Sequence, residues 1–115
     1  MQPSSRVERG NRRTQNYHPM KQYFVYIVTN KNKTVLYTGI TNNLQRRLSE
    51  HYSKANEEKT TSFAGKYNAY NLLYFEVYGN AREAIAREKE IKGWRRSKKE
   101  ALINSTNPDW KFLNE

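Results

Sequence analysis

The pattern of apolar residues along the chain begins with two short segments that are rich in aromatic and β-branched residues. They span residues 23–29 and 34–39, and the polar tetrapeptide 30–33 separates them. This composition and spacing are typical of two strands joined by a tight hairpin. Centring the turn in the middle of the tetrapeptide places Tyr26 directly opposite Tyr37, on one face of the sheet. A facing tyrosine pair stabilises a sheet by packing alone, so a functional role for the pair stays a second hypothesis.

A helix with one apolar face follows the hairpin. Either Asn42 or Asn43 is suited to cap its first turn. The segment 53–69 is polar and lacks a clear period, and we expect it to form a loop. Four-residue spacing of apolar side chains predicts the buried stripe of the helix, which consists of Leu44, Leu48 and Tyr52.

Arg47 and His51 lie one helical turn apart along the edge of that stripe. An arginine beside a histidine suits the recognition of a phosphate, because the pair offers a bidentate cation and a group that can move a proton. A snorkelling arginine and a packed histidine explain the same pattern. The spacing alone does not choose between these two interpretations.

A third strand and two further helices complete the pattern. The strand covers residues 71–78 and ends at Gly79-Asn80, and a helix runs from Ala81 to about Trp94. Ser97, with Glu100 three residues later, predicts a capping box for a helix that reaches about Ile103. Regular structure stops at Asn107-Pro108. The order β-β-α-β-α-α predicts an α+β fold, with a small three-stranded antiparallel sheet flanked by helices.

One carboxylate falls on the inward face of the helix that begins at Ala81. Glu88 shares a stripe with Ala81, Ala84, Ile85 and Ile91. An inward carboxylate costs free energy unless it has a cation, a metal or several donors. Lys92, four residues later, is one candidate partner, and a hard divalent metal ion is the other. We expect the outward Glu83 to pair with Arg87 instead.

The charge indicates a polyanionic partner. The chain of 115 residues has a formal net charge of +10, of which residues 1–21 contribute +4. We expect residues 1–21 to be a disordered basic extension, residues 22–112 to form the domain, and 113–115 to be a tail. The domain therefore keeps a basic excess of its own, which favours binding to nucleic acid.

Several classes of protein are excluded by composition. The chain has no cysteine, so disulfide scaffolds, cysteine zinc sites and thiol catalysis are ruled out. Its longest apolar run, residues 23–28, is too short to span a bilayer, and no signal peptide is visible at the N-terminus. We expect no membrane partner and a cytoplasmic location.

The chain resembles the GIY-YIG nuclease family in the type and order of the candidate residues named above. Its two strand motifs match Phe24-Val25-Tyr26 and Tyr37-Thr38-Gly39, and the likeness extends over residues 22–112. The small stand-alone members, similar to the N-terminal nuclease domain of excinuclease C, are the best match. In this chain Phe24 and Thr38 replace the family's glycine and isoleucine, and Ile40 stands where some members carry a lysine. The family's helix arginine, histidine and metal-binding glutamate fall on Arg47, His51 and Glu88.

The resemblance implies a metal-dependent endonuclease that hydrolyses phosphodiester bonds of DNA, with structure-directed or weak specificity; RNA is the second candidate partner. By that resemblance, Glu88 holds one Mg²⁺ or Mn²⁺ ion and Arg47 contacts the phosphate. Tyr26 orients or deprotonates the water, with Tyr37 and His51 assisting. The basic side chains expected to bind nucleic acid are Arg46, Lys92, Arg95, Arg96, Lys98 and Lys99. A non-catalytic nucleic-acid-binding module with the nuclease fold is the alternative, and a protein-interaction module is a third.

Overall fold

The structure, a computed structural model, describes residues 21–57 and 62–115, without the side chains of Phe63 and Ala64. The predicted disordered extension thus lies almost wholly outside the described residues. The elements are β1 (Tyr23–Thr29), β2 (Leu36–Thr41), α1 (Leu44–Ala55), α2 (Phe63–Lys66), β3 (Asn71–Tyr78), α3 (Ala81–Lys92) and α4 (Arg96–Thr106). They confirm the α+β fold and its order. The segment expected to be a loop contains the end of α1 and the short helix α2.

The sheet is antiparallel throughout, with strand order β2-β1-β3. β1 is central because it is the most apolar strand, and its residues from Val25 to Thr29 are all buried. Helices α3 and α4 cover one face of the sheet, where Ile27, Ile91 and Ile103 are fully buried. On the other face Tyr26 and its neighbours pack against Leu44 and Leu48 of α1. Within the described residues, no helix is long and apolar enough to cross a membrane.

The predicted register of the hairpin is wrong by two residues. Tyr26 pairs with Gly39, and Tyr37 pairs with Val28. The cause is Asn30, whose side-chain oxygen accepts hydrogen bonds from the backbone N–H groups of residues 34 and 35 at 2.8 and 3.2 Å. These groups are withdrawn from the strand ladder, so β2 begins at residue 36 instead of 34. Because the shift is even, Tyr26 and Tyr37 still lie on the same face of the sheet.

Helix α1 buries a different residue from the one expected. Asn43 is its N-cap, and its side chain accepts a hydrogen bond from the Arg46 backbone N–H. Tyr52 is 55% exposed, whereas His51 is 2% exposed. Seven residues after Leu44 is close to two complete turns of 3.6 residues, whereas eight residues overshoot them. The helix therefore turns its histidine toward the sheet.

Helices α3 and α4 correct three further expectations. Ile85 is 44% exposed, so the inward stripe of α3 consists of Ala84, Glu88 and Ile91. Helix α4 begins at Arg96 and not after a Ser97 cap.

Arg87 pairs with Glu76 of β3 at 2.9 Å and with Glu90, instead of with Glu83. Glu76 also accepts hydrogen bonds from Tyr74 and Tyr78. Burial alone would raise the pKa of Glu76, but these donors outweigh it and lower that pKa. This network joins β3 to α3.

Candidate active site

Tyr26 and His51 are joined by a buried hydrogen bond. The Tyr26 hydroxyl oxygen lies 2.8 Å from His51 Nε2, and the two rings are 5.8 Å apart between centroids. Tyr26 is fixed by the centre of β1, and His51 is held by the inward face of α1. The bond therefore connects the rigid sheet to the first helix across 25 residues of sequence.

Burial keeps both groups uncharged near neutral pH. It raises the pKa of Tyr26 to about 12, although the neighbouring Arg47 guanidinium acts in the opposite direction. Burial also lowers the pKa of His51 to about 4, and the positive charge of Arg47 adds to this effect. Arg47 thus faces both groups, favouring a phenolate and opposing an imidazolium. Its guanidinium also donates a hydrogen bond to Glu50 at 3.0 Å.

Tyr37 completes a cluster of three rings with Tyr26 and His51. Gly39 makes room for the Tyr26 ring. The Tyr37 and His51 rings meet edge to face, with centroids 5.5 Å apart. A Cβ atom on Gly39 would lie only 2.3 Å from the Tyr26 hydroxyl oxygen. The Tyr26 ring therefore crosses β2 through the space that any other residue at position 39 would fill.

Glu88 approaches this cluster from α3 and is paired with a lysine. Its carboxylate lies 2.7 Å from Lys92 Nζ, with only 12% of the side chain exposed. Lys92 Nζ lies in turn 6.0 Å from the centroid of the Tyr37 ring. The negative charge of Glu88 contributes to the raised pKa of Tyr26. The lysine expected as an alternative to a metal ion is thus present, and the pair faces the aromatic cluster.

The five residues predicted to be catalytic are therefore neighbours. They come from β1, β2, α1 and α3, and their contacts run from Arg47 through the rings to the Glu88–Lys92 pair. Among the described residues, no group of three or more His, Cys, Asp or Glu side chains is arranged to hold a metal ion. A single partly buried carboxylate that already attracts a cation fits Mg²⁺, which keeps waters and substrate phosphates as its other ligands.

The basic residues expected to bind nucleic acid fall into two groups. Arg96 is committed to the fold, because its guanidinium donates to the backbone oxygens of Lys33 and Thr34 and to Glu100. Arg46 bonds to Asn42 and lies 3.7 Å from Glu50.

The second group of basic residues is less firmly bonded to the rest of the fold. Lys98 lies over the Trp94 ring, 4.4 Å from its centroid, and Arg95 is exposed at the N-cap of α4. Burial lowers the pKa of Lys99, and the nearby charges of Lys92 and Arg96 add to this effect.

Two asparagines near the C-terminus have structural roles. Asn107 is buried and bonds to the backbone oxygens of Leu73 and Lys111, while Asn104 accepts from the Trp110 indole.

Two surface cavities, of about 290 and 150 Å³, are lined by residues other than the five predicted to be catalytic. Sequence reasoning missed the role of Gly39, although an isolated glycine inside a strand pattern signals close approach of another group.

Comparisons with known proteins give the family of this chain. The family model described as the GIY-YIG catalytic domain matches residues 22–101. The UPF0213 protein CPE1444 of Clostridium perfringens (strain 13 / Type A) is 39% identical over 82 residues, which cover 71% of this chain and 83% of that protein. The UPF0213 protein HQ_3675A of Haloquadratum walsbyi is 34% identical over 80 residues, covering 70% of this chain and 84% of that protein.

A solved structure is also similar to this chain. The solution NMR structure of the UPF0213 protein BH0048 from Bacillus halodurans shares 28% identity and covers 75% of this chain and 86% of its own, with a TM-score of 0.47. The family match extends over more than half of the chain and includes every residue of the aromatic cluster and Glu88. This chain belongs to the GIY-YIG family, among the small proteins of the UPF0213 group.

Proposed function

We propose that this protein is an endonuclease that hydrolyses phosphodiester bonds of DNA, or of RNA, with a divalent metal ion. The observation that carries the proposal is the hydrogen bond of the buried Tyr26 hydroxyl with His51, next to an arginine. A sheet needs no such polar cluster for packing. Membership of a nuclease family and the net charge of +10 support the same conclusion.

In the proposed reaction a water oxygen attacks phosphorus, the bond to the 3′-oxygen breaks, and the departing 3′-oxygen takes a proton from solvent water. The proton of the water passes to the Tyr26 oxygen, while the phenol proton passes to His51 Nε2. This direction needs the His51 tautomer that accepts at Nε2, which a neutral imidazole can adopt. A phosphodiester bound at Arg47 offsets the positive charge that disfavours the imidazolium. The relay is therefore best prepared when substrate is present.

Arg47 binds the non-bridging phosphate oxygens, and its planar donors suit that role. Glu88 is the residue that would hold Mg²⁺ or Mn²⁺, which when bound supplies Lewis-acid neutralisation of the phosphate charge. Lys92 has to release Glu88 for this to occur. Its side chain is half exposed, so it can turn to solvent or to the nucleic-acid backbone.

The test compares Glu88→Gln with Glu83→Gln, an exposed glutamate on the same helix. Purified proteins are incubated with single-stranded, duplex and branched DNA, and with RNA of matched sequence, in Mg²⁺ or Mn²⁺. We expect Glu88→Gln to lower the cleavage rate by about 100-fold or more, and Tyr26→Phe by a similar factor. Glu83→Gln should retain the wild-type rate.

Equal cleavage by wild type and by both the Glu88 and Tyr26 variants would contradict the proposal, since it would point to a contaminant. Manganese binding, followed by electron paramagnetic resonance, gives a readout that is independent of turnover. We expect it to weaken in Glu88→Gln and to stay unchanged in Glu83→Gln.

The Glu88–Lys92 ion pair favours a second candidate, a nucleic-acid-binding module without catalysis. A carboxylate already neutralised by a lysine has less need of a metal ion. Under this hypothesis, salt-sensitive binding persists while no metal supports cleavage. Glu88→Gln then changes only stability.

A further inference from the structure

Within the described residues, one part of the sheet face that carries Tyr26 is left uncovered. Helix α1 packs over the half of this face that contains Tyr26, Val28 and Leu72. Beyond it, Phe75 is 42% exposed and Val77 is 48% exposed. Phe24 lies against Phe75, with ring centroids 6.3 Å apart and planes tilted by 59°. These two rings form an aromatic platform.

Strand register places the platform across β1 from Gly39, over which the Tyr26 hydroxyl lies. Phe75 of β3 is the Cα partner of Tyr26, and Phe24 precedes Tyr26 by two residues on the same face. Two residues of a strand span roughly 6.6 Å. A nucleotide next to a phosphate at Tyr26 therefore has its base within reach of one or both phenylalanines.

The margin of the platform carries positive charge. Phe24 pairs with Thr41, and the next residue, Asn42, accepts a hydrogen bond from Arg46 at 3.0 Å. Arg47 lies beside Tyr26, and both arginines share one carboxylate, Glu50. An apolar aromatic floor with a cationic edge suits a ligand that combines flat rings with phosphates.

We propose that Phe24 and Phe75 stack an unpaired nucleobase next to the phosphate that Arg47 contacts. This rests on the proposed function and deepens it, because it names the substrate class: nucleic acid with at least one unstacked nucleotide at the point of cleavage. Aromatic side chains on sheet surfaces bind single strands in this way, since every base presents a π-face. A base inside an intact duplex is already stacked on its neighbours and cannot reach the platform.

The experiment is a titration of fluorescein-labelled 12-nucleotide DNA, followed by anisotropy without divalent metal so that nothing is cut. The full chain is compared with Phe75→Ala, Phe75→Tyr and Ile85→Ala. Ile85 is the matched control, because it is similarly exposed but lies on α3. We expect Phe75→Ala to weaken single-strand binding by roughly 5- to 100-fold and duplex binding by less than about 2-fold. Phe75→Tyr and Ile85→Ala should bind as wild type.

Stacking also has a direct signature. In Phe75→Trp the fluorescence of the added indole should be quenched when the single strand binds. This quenching should exceed the fluorescence change that Trp94 and Trp110 show in the wild type. An oligonucleotide made wholly of abasic sugars should not quench it. This variant retains an aromatic ring, so it carries the test even if Phe75→Ala does not fold.

Unchanged single-strand binding in Phe75→Ala, or an equal loss for single strand and duplex, would overturn the proposal. So would equal binding of the abasic and intact strands, which would indicate contacts with phosphates only. Failure of the proposed function looks different. In that case no metal supports cleavage, but the discrimination by Phe75 between single strand and duplex persists.

Discussion

At the scale of single residues, the position of Tyr26 depends on the missing side chain of Gly39. A Cβ atom there would approach the tyrosine hydroxyl oxygen to 2.3 Å, far inside van der Waals contact. We expect Gly39→Ala to displace the ring and break its bond to His51. The predicted cost is about 1–3 kcal/mol of unfolding free energy, with cleavage reduced as in Tyr26→Phe.

Urea unfolding and cleavage assays of Gly39→Ala check this, with Gly79→Ala as control. A Cβ atom at position 79 meets nothing within 4 Å. Equal behaviour of the two variants would show that the ring adjusts freely.

His51 predicts a loss of stability in mild acid. Its pKa is about 4 in the folded protein, against about 6.5 in the unfolded chain. Between these values the unfolded chain binds more protons, so unfolding becomes easier as the pH falls. We expect wild type to lose up to about 1.4 kcal/mol per pH unit between pH 6.5 and 4 relative to His51→Gln.

Urea unfolding at pH 7, 6 and 5 measures this difference. The comparison removes contributions from other groups, such as Glu76, whose pKa is also lowered. Parallel pH profiles for the two proteins would mean that His51 titrates normally.

The face on which single residues lie was partly predictable, but their contacts were not. Glu88 appeared from the sequence as a carboxylate on an inward stripe, and the structure shows it nearly buried beside Lys92. The exact partner of Tyr26 was predicted wrongly, because the register depends on the Asn30 side chain and its bonds to the following loop. Such a bond is one of several that a polar turn can form, and composition does not select it.

At the scale of elements, β3 and α3 are held together by Glu76 and Arg87. The Glu76 carboxylate accepts from Arg87, Tyr74 and Tyr78, with only 15% of its side chain exposed. We expect Glu76→Gln to lower the free energy of unfolding by about 1–3 kcal/mol, because the charge that these donors share is removed. Thermal and urea unfolding measure it.

Glu83→Gln serves as the control for Glu76→Gln, since Glu83 is exposed in the first turn of α3. It should change stability by less than about 1 kcal/mol. A similar loss in both variants would show that the network contributes nothing of its own.

Strand and helix positions were well predicted, because they follow from apolar period and capping residues. β1, β3 and the start of α3 lie where those signals placed them. The start of α4 differed from the expected Ser97 cap: its N-cap is Arg95, which forms no side-chain capping bond, and Arg96 bonds to the distant hairpin at Thr34. Arg87 likewise pairs with Glu76 of another element instead of with Glu83.

At the scale of the whole molecule, the net charge of +10 predicts salt-sensitive binding to nucleic acid. The basic side chains differ in how many bonds they already form within the fold. We expect Arg95→Gln to weaken binding and to reduce the slope of log K against log salt by about 1, as for a phosphate contact. Arg96→Gln should instead lower stability, because its guanidinium holds the hairpin.

Titrations at several salt concentrations, with unfolding curves for each variant, test this division. An unchanged slope in Arg95→Gln would place the phosphate contacts elsewhere on the surface.

The candidate catalytic groups belong to two parts of the molecule that differ in how firmly they are anchored. Tyr26 lies in the central strand, which is bonded to a neighbour on each side, whereas α1 buries His51 alone among its twelve residues. Amide hydrogens of β1 should therefore exchange with solvent last, and those of α1 through partial opening. Warming would then separate Arg47 and His51 from the tyrosines before the chain unfolds, so inactivation by heat should precede denaturation.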